Sequence, residues 1–115
     1  MTTPDIDYFL PLSEVAFEIL LSLADGERHG YELMKDIESR TDGRLRLHPG
    51  TLYRSVARLV EDGLVEEVTA RTEKDERRRP VRITPLGTQV GRAEAERLAN
   101  QVTRARAHKW IRRTT

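Results

Sequence analysis

Apolar residues repeat with helical spacing between residues 48 and 62, where the sequence reads HPGTLYRSVARLVED. Leu52, Val56, Leu59 and Val60 occupy positions i, i+4, i+7 and i+8, which lie on one face of an α-helix. Polar and cationic residues occupy the other side. The pattern therefore predicts an amphipathic helix that buries one face and leaves a cationic face in solvent.

Two helices are predicted before this stretch. Ser13 can cap the first, whose apolar positions are 15, 16, 19, 20 and 23, and Asp25-Gly26 ends it. The second extends from about Gly30 to Thr41, with its apolar positions 33, 34 and 37 facing inward. Three helices therefore precede residue 63.

The period of the pattern changes to two after residue 63. Residues 64–71 alternate in polarity, and residues 80–84 alternate again with Val81 and Ile83 on the inner side. Between these stretches lies a tip of eight residues, TEKDERRR. These features predict a two-stranded hairpin with a highly charged turn.

A long helix is predicted at the C-terminal end. Thr84 can cap it, Pro85 can occupy its first position, and the pattern continues to about Arg113, which gives a length of roughly 40 Å. Such a helix extends beyond a three-helix body, so we expect its thin apolar stripe to pack against a second subunit and that subunit's N-terminal segment. The expected interface residues are Leu86, Val90, Leu98, Val102 and Trp110.

The order of these elements predicts an α+β fold that is mostly α. We expect residues 1–84 to form a winged helix-turn-helix domain of three helices and a two-stranded wing, with residues 1–11 as an N-terminal extension. We expect residues 85–115 to form a C-terminal dimerisation helix. In this plan the third helix lies in the major groove of DNA, and the wing reaches the flanking backbone.

Charge is distributed unevenly although the net charge is only +1. Residues 1–39 contain nine acids and two bases, whereas residues 40–60 contain five bases and one acid. Basic residues also predominate in 71–84 and in 85–115. This clustering around the third helix and the hairpin favours a nucleic-acid partner; a solvated charged face is the simpler alternative.

Several other classes of protein are disfavoured. The chain has no cysteine, which removes thiolate chemistry and fits a cytoplasmic location, and its longest apolar run is too short to span a bilayer. The three histidines, at 29, 48 and 108, lack the spacing of a metal site, and no nucleophile or paired-carboxylate constellation stands out. We therefore expect neither an enzyme nor a bound cofactor or metal.

The exposed side of the third helix carries the candidate DNA contacts. Pro49 suits the first helical position, Gly50 allows close approach of a partner, and a bare helix N-terminus favours a phosphate. Arg54 and Arg58 lie four residues apart on the exposed face, although an acid at 61 or 62 could pair with Arg58 instead. The candidate set from this region and from the hairpin tip comprises His48, Pro49, Gly50, Thr51, Tyr53, Arg54, Arg58, Arg77, Arg78 and Arg79.

Four motifs resemble those of the PadR family of bacterial transcriptional regulators. They are HGYEL at 29–33, PGTLY at 49–53, RLVEDGLVEE at 58–67 and RRPVRITPLG at 78–87. The resemblance covers roughly residues 12 to 90, and the single C-terminal helix looks like that of the family's shorter-tailed members. It implies a homodimer, assembled through this helix, that represses transcription from a pseudo-palindromic operator and is released by a small-molecule effector.

The resemblance also assigns His29 and Tyr31 to the phosphate-facing end of the second helix. Two positions depart from the family's usual pattern: Arg54 stands where proline is usual, and Val81 stands where a basic or aromatic residue is more frequent. Trp110 is either an anchor of the dimer interface or part of an effector pocket at the dimer centre. A winged-helix protein-interaction module without DNA binding remains the alternative, because a fold does not determine function.

Overall fold

The computed structural model of the protein describes residues 5–68 and 79–112. A 3-10 turn, Ile6–Phe9, is followed by four helices and two strands. These are α1 (Glu14–Leu23), α2 (Gly30–Arg40), α3 (Pro49–Glu61), β1 (Val65–Glu67), β2 (Val81–Ile83) and α4 (Pro85–Ala107). The strands pair antiparallel, with Glu66 opposite Arg82. The predicted order of three helices, a hairpin and a long helix is confirmed.

Side chains just before the helices supply the predicted caps. The hydroxyl of Ser13 accepts a hydrogen bond from the Ala16 N–H at 3.1 Å, and that of Thr84 accepts one from the Gly87 N–H at 2.9 Å. Each bond satisfies a backbone donor that the helix itself leaves free. Helices α1 and α4 therefore begin at the predicted residues.

The core lies between the first three helices and extends to the sheet and the first half of α4. A polar network also joins α1 to α2: Asp36 accepts hydrogen bonds from Ser22 at 2.5 Å and from Arg40 at 2.9 Å, and Arg40 contacts Glu18 at 2.6 Å. The buried apolar residues are Ile19, Leu20, Leu23, Leu33, Ile37, Leu52, Leu59, Leu64, Val65, Val81 and Val90.

The loop between α1 and α2 joins the edge of the sheet. The Arg28 N–H donates to the Val81 carbonyl at 3.1 Å, and the Val81 N–H donates to the Arg28 carbonyl at 2.9 Å. The guanidinium of Arg28 also donates to the Ser22 carbonyl at 3.0 Å. These bonds attach β2 to the helical body, and the sequence pattern did not predict them.

The strands are shorter than the alternation predicted. β1 ends at Glu67 and β2 covers only Val81–Ile83. Most of the predicted charged tip lies outside the described residues. One cross-strand ion pair is present in the described part of the hairpin, between Arg82 and Glu66 at 2.7 Å.

Helix α4 ends at Ala107, so the prediction that it continues to Arg113 is wrong. The Trp110 N–H donates to the Ala105 carbonyl at 3.0 Å, and the Lys109 N–H donates to the Arg106 carbonyl at 2.9 Å. Lys109 has a φ of 61°, in the left-handed region. This is the Schellman arrangement, which closes a helix and turns the chain away from its axis.

The two halves of α4 differ in burial. Val90 and Glu94 are buried, whereas Leu98 is half-buried and Val102 exposes 37% of its surface. Val90 therefore belongs to the core of its own subunit, contrary to its predicted place in an interface between subunits. Leu86 is half-buried and also packs against this core.

Gly87 allows α4 to approach the turn before β1. A Cβ at this position would overlap the Leu64 carbonyl oxygen, which is fixed by a hydrogen bond from the Thr84 N–H. We expect Gly87→Ala to lower the free energy of unfolding by about 1–3 kcal/mol, the usual cost of forcing a methyl group into a packed site. Urea denaturation followed by circular dichroism measures this loss.

Gly91→Ala, one turn further along the same helix, is the matched control. A Cβ there meets only Leu20, at 3.8 Å, which is an ordinary contact. Because alanine is a better helix former than glycine, this variant should gain up to about 1 kcal/mol. Equal stability of the two variants would contradict the role assigned to Gly87.

Candidate nucleic-acid interface

Helix α3 exposes one continuous side along its whole length. Leu52 and Leu59 are buried, and Arg54, Arg58 and Glu61 are exposed. Thr51 and Ser55 are half-buried on the flank that faces α1. The sequence pattern had predicted this division between a buried and a cationic face.

The N-terminus of α3 is capped by His48, and the first turn of the helix carries no acidic residue. Nδ1 of His48 accepts a hydrogen bond from the Gly50 N–H at 3.2 Å, and Pro49 occupies the first helical position. A Cβ on Gly50 would lie 3.5 Å from Nη1 of Arg54, so this guanidinium folds back over the first turn. The helix dipole and the Arg54 guanidinium therefore both place positive charge at the N-terminus of α3.

The two arginines of α3 have different surroundings. Nε of Arg58 lies 3.4 Å from a carboxylate oxygen of Asp62, one turn ahead on the same helix. Arg54 forms no ion pair with any residue of the described ranges. The Arg58 side chain is nevertheless 73% exposed, so its pair with Asp62 is open to exchange for another anion.

His29 and Tyr31, at the start of α2, have different surroundings. His29 caps the helix: its Nδ1 accepts from the Glu32 N–H at 3.4 Å, while the Glu32 carboxylate accepts from the His29 N–H at 3.0 Å. Tyr31 is 53% exposed, with the Lys35 ammonium 5.2 Å from its ring centroid. Tyr31 and Lys35 thus form an exposed pair, and His29 has a structural role as a helix cap; its contact with DNA stays a prediction.

Tyr53 joins α3 to α2. A Cβ on Gly30 would come within 2.6 Å of the Tyr53 ring, so the ring lies directly on the backbone of that glycine. The Tyr53 hydroxyl is buried. The structure therefore gives Tyr53 a packing position, whereas the sequence had favoured a contact with DNA. The sequence feature that could have indicated the packing of Tyr53 on α2 is Gly30 in the HGYEL motif.

Only the last of the three predicted wing arginines falls within the described residues. Arg79 is exposed and borders a shallow pocket between α3 and the sheet, near Tyr53 and Glu67. Arg77 and Arg78 lie outside the described ranges. The wing contact with DNA stays a prediction.

A groove of about 600 Å³ runs beside the exposed side of α3. One wall is formed by Thr51, Arg54 and Arg58, and the other by Tyr8 and Phe9 of the chain before α1. Tyr8 and Phe9 pack edge to face, with ring centroids 5.2 Å apart. The sequence showed these aromatic residues as a cluster without indicating that they lie next to α3.

Two further features are absent from the residues that the structure describes. No group of three or more His, Asp or Glu side chains within 5–68 and 79–112 is arranged to hold a metal ion. None of the helices described is both long and apolar enough to cross a membrane.

Comparison with known proteins gives one family. Residues 19–93 match the model of the transcriptional regulator PadR-like family. A relative from Streptomyces fradiae, an uncharacterized 37.1 kDa protein in transposon TN4556, is 40% identical over 81 residues. The matched region is 70% of this chain but 22% of that protein, so the chain spans about a fifth of this relative's length.

Solved structures agree with the family match. A transcriptional regulator from Clostridium thermocellum has a TM-score of 0.69 and 31% identity, covering 85% of this chain and 93% of that one. A PadR family transcription regulator from Clostridium difficile has a TM-score of 0.68 and 18% identity, covering 84% and 98%; at this identity it supports the fold alone. The predicted winged helix-turn-helix class is confirmed, and the chain belongs to the PadR-like family of transcriptional regulators.

Proposed function

We propose that the protein is a cytoplasmic, dimeric and effector-responsive repressor that binds double-stranded DNA at a pseudo-palindromic operator. The observation that carries this proposal is the exposed side of α3. There Arg54, which has no ion-pair partner in the described part of the chain, lies over a helix N-terminus without acids. Family membership supports the same function.

The charge along α3 suggests which end approaches DNA. Arg54 lies in the N-terminal half of the exposed side and Arg58 one turn further along, whereas Glu61 and Asp62 stand at its end. Phosphates repel the acidic end, so the N-terminal half should enter the major groove. Tyr31 and Lys35 at the start of α2 and Arg79 of the wing would then contact the backbone on either side.

Dimerisation accounts for the form of the operator. Two copies of α3 related by a two-fold axis read two half-sites, which should lie about one helical turn apart or a multiple of it. The half-buried Leu98 and the exposed Val102 and Trp110 support α4 as the interface. The sequence had placed them there, and nothing on the described part of the chain covers them fully.

The groove beside α3 supports a response to a small molecule. Its volume lies in the range of ligand pockets, roughly 300–1,000 Å³. Because Arg54 and Arg58 form part of its wall, a ligand there would occupy the same side chains as the operator. Effector and DNA would then compete.

Arg54→Ala tests the proposed reading of DNA. Operator fragments are first selected from random DNA with the purified protein, and binding is then measured by fluorescence anisotropy on operator and on random duplex. We expect Arg54→Ala to lower operator affinity by roughly 5- to 150-fold, corresponding to about 1–3 kcal/mol for a bidentate arginine–guanine contact. Arg58→Ala should have a smaller effect because Arg58 must first leave Asp62.

Arg54→Lys provides the control at the same position. Lysine keeps the charge but cannot form the planar bidentate contact, so specificity should fall while binding to random DNA stays unchanged. If Arg54→Ala instead weakens operator and random DNA equally, Arg54 contacts phosphates only. Failure of the wild-type protein to bind DNA in a salt-dependent way would favour the protein-interaction module.

A further inference from the structure

Asp62 stands at the end of α3, on the side of the helix that carries Arg58. Nε of Arg58 lies 3.4 Å from a carboxylate oxygen of Asp62, which is longer than the roughly 2.7–2.9 Å of a strong charge-assisted hydrogen bond. In the hairpin, by comparison, Arg82 and Glu66 are 2.7 Å apart. The Arg58 side chain is also 73% exposed. Asp62 therefore holds Arg58, but only weakly.

The backbone around Asp62 is fixed on both sides. The Asp62 N–H donates to the Arg58 carbonyl at 2.9 Å, and the Gly63 N–H donates to the Val60 carbonyl at 3.0 Å. Gly63 has a φ of 79°, and its carbonyl accepts a hydrogen bond from the Thr84 hydroxyl at 2.7 Å. The Asp62 carboxylate, which is 28% exposed, therefore has a defined position, whereas the longer Arg58 side chain extends into solvent.

The pair is poorly placed to stabilise α3. Asp62 is the C-cap of the helix, where the negative end of the helix dipole disfavours a carboxylate. The order of the two charges is also the weaker one, because an i,i+4 pair is more favourable when the acid precedes the base. Exposed ion pairs contribute little to stability in any case. The position of Asp62 is therefore better explained by its effect on Arg58.

This effect differs between random DNA and an operator. On random DNA the Arg58 guanidinium exchanges one anion, the carboxylate, for another, a phosphate, and the carboxylate that it leaves then faces a negatively charged duplex. The net gain is small. An operator also offers guanine edges, which accept two hydrogen bonds from an arginine in fixed geometry. A cost imposed on wrong partners is a general source of specificity, and Asp62 imposes one on random DNA.

We propose that Asp62 is a positioning residue that acts through Arg58 and raises the preference of the protein for its operator over random DNA. This inference rests on the DNA binding of the proposed function and adds a determinant to its specificity. In the free protein Asp62 holds Arg58 along α3. A site whose base edges replace this contact releases Arg58, whereas phosphates alone do so at little gain.

Asp62→Asn removes the charge and keeps the shape of the side chain. Binding is measured by fluorescence anisotropy on the selected operator and on random duplex over a range of salt concentrations. We expect the affinity for random duplex to rise roughly two- to fivefold, the range of an exposed ion pair, and the affinity for the operator to rise less. The slope of log K against log salt on random duplex should steepen by up to about 0.9, because Arg58 then gains a phosphate without leaving an acid behind.

Glu61→Gln is the matched control. Glu61 is exposed, precedes Asp62 directly and takes part in no ion pair between residues of the described ranges. The variant therefore removes the same charge from the same end of α3 without releasing Arg58. Its affinity for random duplex and its salt slope should stay close to those of the wild-type protein. Circular dichroism checks that both variants keep their helices.

Arg58→Ala separates positioning from simple repulsion of DNA by an acid. In this background Asp62→Asn should change the affinity for random duplex no more than Glu61→Gln does, because the residue through which Asp62 acts is gone. A larger change there, or equal effects of the two variants when Arg58 is present, overturns the inference and leaves the DNA-binding repressor standing. A wild-type protein that binds neither duplex in a salt-dependent way removes both.

Discussion

Leu98→Glu is expected to make the protein monomeric and to lower its operator affinity at least about 100-fold, or about 2.7 kcal/mol. Leu98 lies where the apolar stripe of α4 leaves the body of the subunit. A carboxylate there would lose water in a helix–helix interface without gaining a partner, which costs several kcal/mol. A monomer then contacts one half-site only. Sedimentation velocity and anisotropy on the selected operator measure the two effects.

Asn100→Glu provides the control for the added charge. Asn100 is exposed and lies on the opposite side of α4 from Leu98, since two residues along a helix are about 200° apart. This variant should remain dimeric and bind the operator as the wild-type protein does. A Leu98→Glu protein that still sediments as a dimer would show that α4 is not the interface.

Much of the helical body could be predicted because its signals are local. Ser13 and Thr84 cap helices from the position just before them, and Leu52 and Leu59 are buried as their spacing indicates. Each of these features depends on residues within one or two helical turns. The periodicity of a sequence contains this information.

The end of α4 could not be predicted, because the residues that end the helix are not the ones that usually mark a helix end. Lys109 adopts the left-handed conformation that usually indicates glycine at a helix end, and the residues after it are still compatible with a helix. Neither glycine nor proline marks the stop. The sequence therefore predicted a helix through Trp110, whereas the chain turns just before it.

Contacts between distant segments were the other source of error. The ring of Tyr53 lies on Gly30, and Val81 forms backbone hydrogen bonds with Arg28, so both positions depend on residues far away in the chain. Val90 was predicted to lie in the interface between subunits, whereas it is buried by the body of its own subunit beneath α4. Polarity patterns describe one element at a time and do not show which element covers which.

Glu94 is the clearest example of such a contact, because a carboxylate on a helix usually faces water. It exposes only 2% of its surface. Arg97 donates to both of its oxygens, at 2.9 and 2.7 Å, and the Leu12 N–H donates to one of them. The hydrogen bonds and charge of Arg97 lower the pKa of Glu94 below 4.5, against the effect of burial, and the Leu12 bond adds to this lowering.

We expect Glu94→Ala to lower the free energy of unfolding by about 3 kcal/mol at pH 7, the low end for a broken buried pair, since one third of Arg97 stays in water. Glu96→Ala, at an exposed position, should change it by less than about 0.5 kcal/mol. Because the pKa of Glu94 is depressed in the folded state, its contribution is present above pH 4.5 and is lost as pH falls through the folded pKa. Urea denaturation at several pH values should therefore show wild type and Glu94→Ala converging in acid. A difference that stays constant from pH 7 to about pH 3 would mean that the side chain stabilises by packing alone, and that its charge does not hold the N-terminal segment on α4.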